Sequence, residues 1–558
     1  MAGVTIGRSA ADGTFFTGFT VTISLRISTA VQIGLLLAGL AKAQSPITVP
    51  VQAGMDIYRA GGYDDGSDGI APAIFSFPAR ALQTLAFSSV GGTWACGRSG
   101  AEYSPDGTST SPCYPNANIA NPVGPFSGYS LTDFTGAMAG VFLEDTFPDS
   151  APPPLRFYAV NSSLGGIRTN FPTLSPEIGQ VFFIGDGLTG TGGGAVQVFK
   201  VPATATHLYF GYVESCSASG DAPPGCYSNN VGSLTAMFTL QEHVLDWVEL
   251  QPSPVPSARC CLGMAFDAAT LSTVLFGGGN GGVKPTVTYG DTWIWRKGWF
   301  KQSPVTSPSA RQGPGMAYDP TTDTVVLFGG GDTNGNALAD TWTWNGVTWT
   351  QQFPPVSPPA REWDIQGMAY DAAAGKVLLF GGLNDEGGVL GDTWEWDGIA
   401  QTWTQQFPVS SPSARRGTLA SDGARGEIVL FGGDNGAGDC CNVYFDDTWT
   451  WNGITWTQQF PASAPSARTD HSMAYDANIG AVVLFGGFSV PGQGLNDTWT
   501  WNGSTWTQRQ TSTEPGGRWA AGLDFDPSNG LVLFGGEVTG DPFTNETWLF
   551  TAVPVRQR

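Results

Sequence analysis

From residue 246 onward the chain repeats itself six times with a period near 50–54 residues. A unit of that length cannot bury its own apolar face, so like units must stack against one another. Each unit opens on an arginine, at Arg259, Arg311, Arg361, Arg415, Arg468 and Arg518. An apolar strand ending in an acid follows, as in Met264-Ala265-Phe266-Asp267 or Met368-Ala369-Tyr370-Asp371. After a short turn, a strand of buried type closes on Phe-Gly-Gly, at Phe276, Phe328, Phe380, Phe431, Phe485 and Phe534. A variable Gly/Asn/Asp-rich loop leads to Asp-Thr-Trp-x-Trp, headed by Asp291, Asp340, Asp392, Asp447 and Asp497, with Glu546 in the sixth unit. Asn-Gly or Asp-Gly then turns the chain into Thr-Trp-Thr-Gln, as in Trp344-Asn345-Gly346 leading to Trp349. Asn-Gly between alternating aromatic runs is a strong hairpin signal.

Four antiparallel strands per unit, with Gly-Gly after the second and Trp in the third and fourth, resemble kelch repeats. That resemblance implies an all-β fold, a six-bladed β-propeller over residues 246–558 whose blades pack around a central channel. The sixth unit ends at Trp548-Leu549-Phe550 without a fourth strand, and Asp246-Trp247-Val248-Glu249-Leu250 supplies one ahead of the first unit. The strand at 246–250 is therefore expected to close the ring and leave no exposed edge. Of the 20 Trp, 19 lie in this half; their fixed place in each unit favours packing between blades over a sugar-stacking platform. The six Arg invite an anion-binding reading, but an Arg in every blade is read as architectural, pairing with a neighbouring Asp. Specificity is expected in the loops that differ: Asn280 to Tyr289, Asp332 to Leu338, Asn384 to Val389, Asp434 to Tyr444, Ser489 to Leu495 and Val538 to Thr544.

The 558 residues are too many for one core, so a second domain is expected ahead of the repeat. Net charge is −22, divided as −7 over residues 1–245 and −15 over the remainder. Neither part has the basic footprint that nucleic acid or an anionic membrane would demand. Arg26, the apolar run Ala30 to Ala41 and the tripeptide Ala41-Lys42-Ala43 make a secretory signal peptide over residues 1–43. The run is too short for a permanent span, so a secreted or cell-surface protein with no membrane insertion after cleavage is expected. Eight Cys suit an oxidising compartment. Cys96 with Cys113 and Cys216 with Cys226 each bracket a polar loop and suit local disulfides. The adjacent pairs Cys260-Cys261 and Cys440-Cys441 could form vicinal disulfides, pair with each other, or bind a soft metal.

Residues 44–245 show short apolar runs such as Val181-Phe182-Phe183-Ile184, bounded by Gly, Pro and Ser, and predict a β-sandwich. Near its end stands Gly225-Cys226-Tyr227-Ser228-Asn229-Asn230-Val231-Gly232-Ser233. Adjacent amides on a tight loop, with acids at Glu214 and Asp221, offer hard oxygen ligands of the kind Ca²⁺ prefers. Here the segment resembles the small calcium-dependent galactose-binding bacterial lectins. Earlier landmarks agree in order: Gly92-Thr93-Trp94, then Tyr103 to Gly107, then Gly136-Ala137-Met138. The resemblance implies that Asn229 and Asn230 ligate both calcium and sugar, that backbone carbonyls near Cys96 and Cys226 add ligands, and that Asp106 contacts the sugar. In the family the acid lies close to the loop. Here Cys216 to Pro224 intervene, so Glu214 or Asp221 would take that role, or neither. From the tetrapeptide alone, Asn-Asn-x-Gly reads rather as a turn that tolerates left-handed backbone; the ordered landmarks before it turn the reading towards the lectin-like fold.

A sandwich followed by a kelch ring also resembles the galactose oxidase architecture, whose copper site requires two His. This chain has three in all, His207, His243 and His471, and only His471 stands in the ring. His471 beside Asp470 would make an acid/base pair, though a hydrogen-bonded structural role is the expectation. No nucleophile elbow, His-Glu-x-x-His or phosphate loop occurs. These features favour binding over catalysis. The reading is a secreted carbohydrate-binding and interaction protein, with Ca²⁺-dependent glycan recognition in the sandwich and the propeller as scaffold for a protein partner on its loops. Loop carboxylates keep an alternative open, an extracellular carbohydrate-active enzyme with its site on the loop face of the channel.

Overall fold

The computed structural model describes residues 46–555 apart from 53–54, 64–68, 70, 78–81, 97–116, 120–122, 124, 128, 133–137, 149, 159–166, 170, 186, 191–192, 213–229, 281–286, 363–366, 437–442, 491–492 and 541–542. Strand dominates them, and the helical element is one 3-10 turn, Ile57–Gly62. The chain divides into two compact units, Met1–Gln241 with Val555–Arg558, and Glu242–Pro554.

In the first unit one sheet places Ile47–Gln52 and Gln83–Cys96 beside the opening residues of the strand Asn230–Leu250, and continues through Val198–Val201 to Thr173–Leu174. A second sheet runs Val181–Phe183, Met138–Leu143, His207–Tyr212, Ala73–Ser76. Both sheets contribute to one core, where Phe87, Phe199, Phe210 and Phe238 from the two sheets meet at ring distances of 5.2–6.2 Å or pack through Phe182. Alternation of buried and exposed residues along Ile47–Gln52 places Val49 and Val51 in that core.

Among the described residues the second unit is an all-β propeller of five separate four-stranded antiparallel sheets and a sixth set of four strands that shares the long strand Asn230–Leu250. The first blade is Gly263–Asp267, Ser272–Phe276, Thr292–Trp295 and Trp299–Lys301. The same order recurs through the fifth, which ends in Trp506–Arg509. The sixth takes Gly522–Asp526, Gly530–Phe534 and Thr547–Pro554 from the end of the chain, and its fourth strand from residues 243–250. Pairing of Trp247 with Phe550 and of Leu250 with Thr547 closes the ring.

Tryptophan makes the blades cohere. The fourth-strand indole of each blade donates to the hydroxyl of a third-strand threonine in the blade before it. Trp349 bonds Thr292, Trp403 Thr341, Trp456 Thr393, Trp506 Thr448, Trp247 Thr498 and Trp299 Thr547, all at 2.9–3.1 Å. The same six indoles stand against the Phe of Phe-Gly-Gly in the preceding blade at 4.8–5.3 Å. A buried indole needs a partner for its N–H, and threonine supplies one without opening the core.

Candidate functional site

The Arg that opens each unit is fully buried and frames the loop face. Arg311 Nη1 and Nη2 grip Asp340 Oδ1 and Oδ2 at 2.6 and 2.8 Å, Nη1 also donates to the Gly329 carbonyl at 2.9 Å, and Nε donates to the Ser309 carbonyl at 3.1 Å. The other units repeat the arrangement: Arg259 with Asp291, Arg361 with Asp392, Arg415 with Asp447, Arg468 with Asp497, and Arg518 with Glu546. Each carboxylate also accepts the indole N–H two residues on, as Asp340 does from Trp342 at 2.7 Å. Burial opposes the charged form of Asp340, but Arg311 and Trp342 outweigh it and hold the carboxyl below its ordinary value. Arg311, Arg415 and Arg468 spend all five N–H donors inside the frame, and all six guanidinium groups are buried against a carboxylate, so the ring serves architecture and not anion binding.

Gly-Gly ties neighbouring frames together. Gly277 has φ +69°, and a Cβ there would stand 2.6 Å from the Arg311 carbonyl oxygen of the next blade. That carbonyl accepts the Gly278 N–H at 2.9 Å, and the pattern passes around the ring to Gly536 and Arg259. Only glycine combines that backbone angle with that approach.

Inside this constant frame lies a ring of residue pairs, no two of them alike. The residue after each Arg pairs in antiparallel fashion with the residue after each Gly-Gly: Cys260 with Gly279, Gln312 with Gly331, Glu362 with Leu383, Arg416 with Asp434, Thr469 with Phe488, and Trp519 with Glu537. These six pairs stand on the loop face, just ahead of the innermost strands; Cys260, Gly279, Gln312, Gly331, Glu362, Asp434 and Thr469 are buried there, and Leu383, Arg416, Phe488, Trp519 and Glu537 are half-buried. Gln312 and Glu362 reach back over the preceding blade, where a Cβ on Gly279 or Gly331 would meet Gln312 Oε1 or Glu362 Oε2. Blades one and two offer glycine after Gly-Gly. Blades four to six offer charge and rings.

Arg416 Nε and Nη2 grip Asp434 at 3.1 and 2.5 Å. Asp470, in left-handed backbone at φ 51°, lies within electrostatic reach of Arg416, Asp434 and Glu537. Burial pushes its carboxyl up, Arg416 pulls it back and Asp434 pushes it further. Glu537 is likewise raised, chiefly by burial, although it accepts the Trp519 indole N–H. Trp519 packs edge-on to Phe488 at 5.4 Å, and Phe488 edge-on to Tyr444 at 5.9 Å.

The first strands of neighbouring blades stand around an axial cavity of about 370 Å³. Met264, Met316, Met368, Leu419, Met473 and Leu523 line it nearer the mouth, and Phe266, Tyr318, Tyr370, Ser421, Tyr475 and Phe525 line the far end. Tyr370 spends its hydroxyl on Thr321 of the blade before, whereas Tyr318 donates to Asp323 of its own blade. Asp524 breaks the pattern, since the other five units carry Ala at that place. It accepts the Phe266 N–H across the junction of blades six and one, and burial pushes its carboxyl up to about 6.

His471 is buried between blades four and five, 5.6 Å from the Phe431 ring, and neither ring nitrogen has a hydrogen-bond partner among the described residues. The expected hydrogen-bonded histidine is thus an unpartnered one, and it forms no pair with Asp470. Burial, aided by the Arg468 charge, pulls it down to about 3, so it stays neutral at ordinary pH. His207 contacts Thr206 Oγ1 in the first unit.

Of the residues read as a calcium and sugar site, Asp106, Glu214, Asp221 and Asn229 lie outside the described residues, as do Cys113, Cys216, Cys226, Cys440 and Cys441. Asn230 opens the strand Asn230–Leu250, and Cys96 ends the strand Gln83–Cys96. No group of three or more His, Cys, Asp or Glu that could hold a metal occurs among the described residues. The sulfur atoms of Cys260 and Cys261 meet as a vicinal pair under the Ala520 methyl.

Residues 265–457 match a family described as the KLHDC2/KLHL20/DRC7 Kelch-repeats domain. The chain is similar to human Multiple epidermal growth factor-like domains protein 8, with 29% identity over 213 residues, or 35% of this chain and 7% of that protein. It is also similar to F-box/kelch-repeat protein At1g51550 of Arabidopsis thaliana, with 27% identity over 263 residues, or 42% of this chain and 52% of that protein. The chain thus spans about half of one of these relatives and a small part of the other. The second unit carries kelch repeats, a module commonly used as a protein-interaction scaffold.

Proposed function

We propose that the propeller is an interaction scaffold that engages a protein partner over the loop-face mouth of its channel. One observation carries this: six copies of an Arg–carboxylate frame are alike, while the six residue pairs they hold at the mouth all differ. A frame repeated without change serves folding, and positions that vary within it are where a binding surface is made. A photo-crosslinking residue placed at Leu383, a half-buried residue of the rim, should capture the partner, and the same residue at the hairpin tip Val347, on the opposite face, should not. Equal capture at both would refute a mouth-centred surface.

For the first unit we retain Ca²⁺-dependent glycan recognition, of galactose type, in a secreted protein. It is supported by the Gly225 to Ser233 loop, by the order of the landmarks before it and by the signal-peptide pattern ahead of Gln44. A vicinal Cys260–Cys261 disulfide suits the same oxidising compartment. The test is a glycan array on residues 44–558 with Ca²⁺ and with EDTA. Binding is expected to vanish in EDTA and in the Asn229→Ala/Asn230→Ala variant; binding that persists in both removes the reading.

A further inference from the structure

The mouth of the propeller is lopsided in charge. Arg416 is the one basic side chain among its six residue pairs, and Asp434 occupies both Nε and Nη2 of its guanidinium. Asp470 makes no ion pair and no side-chain hydrogen bond among the described residues, although Arg416 lies within electrostatic reach. Glu537 faces Asp470 electrostatically and has the Trp519 indole as its donor. Beside these carboxylates runs the row Tyr444, Phe488, Trp519. Between Arg416 and Trp519 in ring order stands Thr469, whose hydroxyl is buried and has no hydrogen-bond partner among the described residues.

Two carboxylates that repel each other, a hydroxyl without a partner and an aromatic row make a poor seat for an anion. They make a good seat for a desolvated cation, which the acids neutralise, the hydroxyl can accept from, and the ring faces attract. The loop face already uses this chemistry within the fold, with Arg259 3.8 Å over the Tyr289 ring and Arg415 4.0 Å over Phe445.

Resting on the interaction-scaffold reading, we propose that the mouth between blades four and six receives a lysine or arginine side chain from a basic segment of the protein partner, seated on Asp470, Glu537 and Trp519. The occupant is a protein segment, whose neighbouring residues spread over the remaining rim. A free polyamine would satisfy the carboxylates without using the rim.

The probe is a doubly blocked trilysine peptide titrated calorimetrically into the full chain at low salt, with spermidine and a blocked triglutamate peptide as comparisons. A chain of charge −22 attracts any polycation weakly, so the decisive comparison is between variants of equal charge. Asp470→Asn/Glu537→Gln should weaken trilysine about tenfold, whereas Glu386→Gln/Glu514→Gln, on exposed loops, should change it less than about twofold. Trp519→Leu keeps every charge and should also weaken it, which covers the case where the double variant fails to fold.

Equal loss in both double variants, no trilysine binding, or spermidine bound in preference to trilysine would each overturn the proposal. Failure here with Leu383 still crosslinking a partner would remove the cationic occupant alone. Failure of both experiments would remove the scaffold reading as well.

Discussion

His471 and Asp524 give the second unit opposite responses to pH. His471 falls from 6.5 to about 3 on folding, so the unfolded chain takes up a proton that the native state refuses, and stability drops as pH falls from about 6.5 towards 3. Asp524 rises from 3.8 to about 6, so the native state keeps a proton that the unfolded chain releases, and stability drops as pH rises from about 4 to 6. At 1.36 kcal/mol per unit the limits are ~5 and ~3 kcal/mol, and the two slopes oppose each other between about pH 4 and 6. Urea unfolding at a series of pH values checks both. Relative to the parent, His471→Leu, which installs the residue type that Leu262 supplies at the same place in the first unit, should gain stability as pH falls below 6. Asp524→Ala should gain it as pH rises above 4, and flat differences would contradict both assignments. A third expectation concerns Arg311, whose removal strands the Asp340 carboxylate; Arg311→Ala should cost about 3–5 kcal/mol in the same assay. The architectural role of the arginines and the packing role of the tryptophans could be read from their recurrence. The rim could not, because it is one position after each Arg and one after each Gly-Gly, and the second of these merges into the longer variable loop that follows it. Asp524 had a similar signal, an acid where five units have Ala.

Among the elements, the strand over residues 243–250 bears the most, because ring closure depends on it. Trp247 is buried, donates to Thr498 at 2.9 Å and stacks between Phe485 and Phe550 at 4.8 and 5.1 Å. Trp247→Phe should cost about 1 kcal/mol for the lost hydrogen bond, and Trp247→Ala about 3–5 kcal/mol for the emptied volume. Limited proteolysis separates closure from general loss. Trp247→Ala should speed cleavage near both Leu250 and Thr547, while Trp349→Ala, which loses like contacts between blades one and two, should leave those bonds protected. The closing strand was readable because the sixth unit lacks a fourth strand and an unassigned Asp-Trp-Val-Glu-Leu precedes the first. In the first unit the strands were readable only as short apolar runs, with no repeat to fix their register. The lectin-like residues could be placed by resemblance alone, since chemistry carried by a few loop residues leaves no periodic trace.

Over the whole molecule, charge limits the company the protein keeps. With −22 overall and arginines locked into frames, the full chain should pass through a heparin column unretained at about 0.1 M salt, and retention would contradict the acidic reading. The directed contact from each fourth-strand indole to the threonine of the blade before has a broader consequence. It is a head-to-tail contact between unlike surfaces, repeated until it meets its own beginning, which is how subunits build a cyclic oligomer. The second unit is in that sense a ring of six subunits threaded on one chain. A fragment of two or three blades would carry an unmatched donor face at one end and an unmatched acceptor face at the other. Such fragments should find one another in solution and assemble towards closure, with the stoichiometry set by the angle each blade turns and not by the length of the chain.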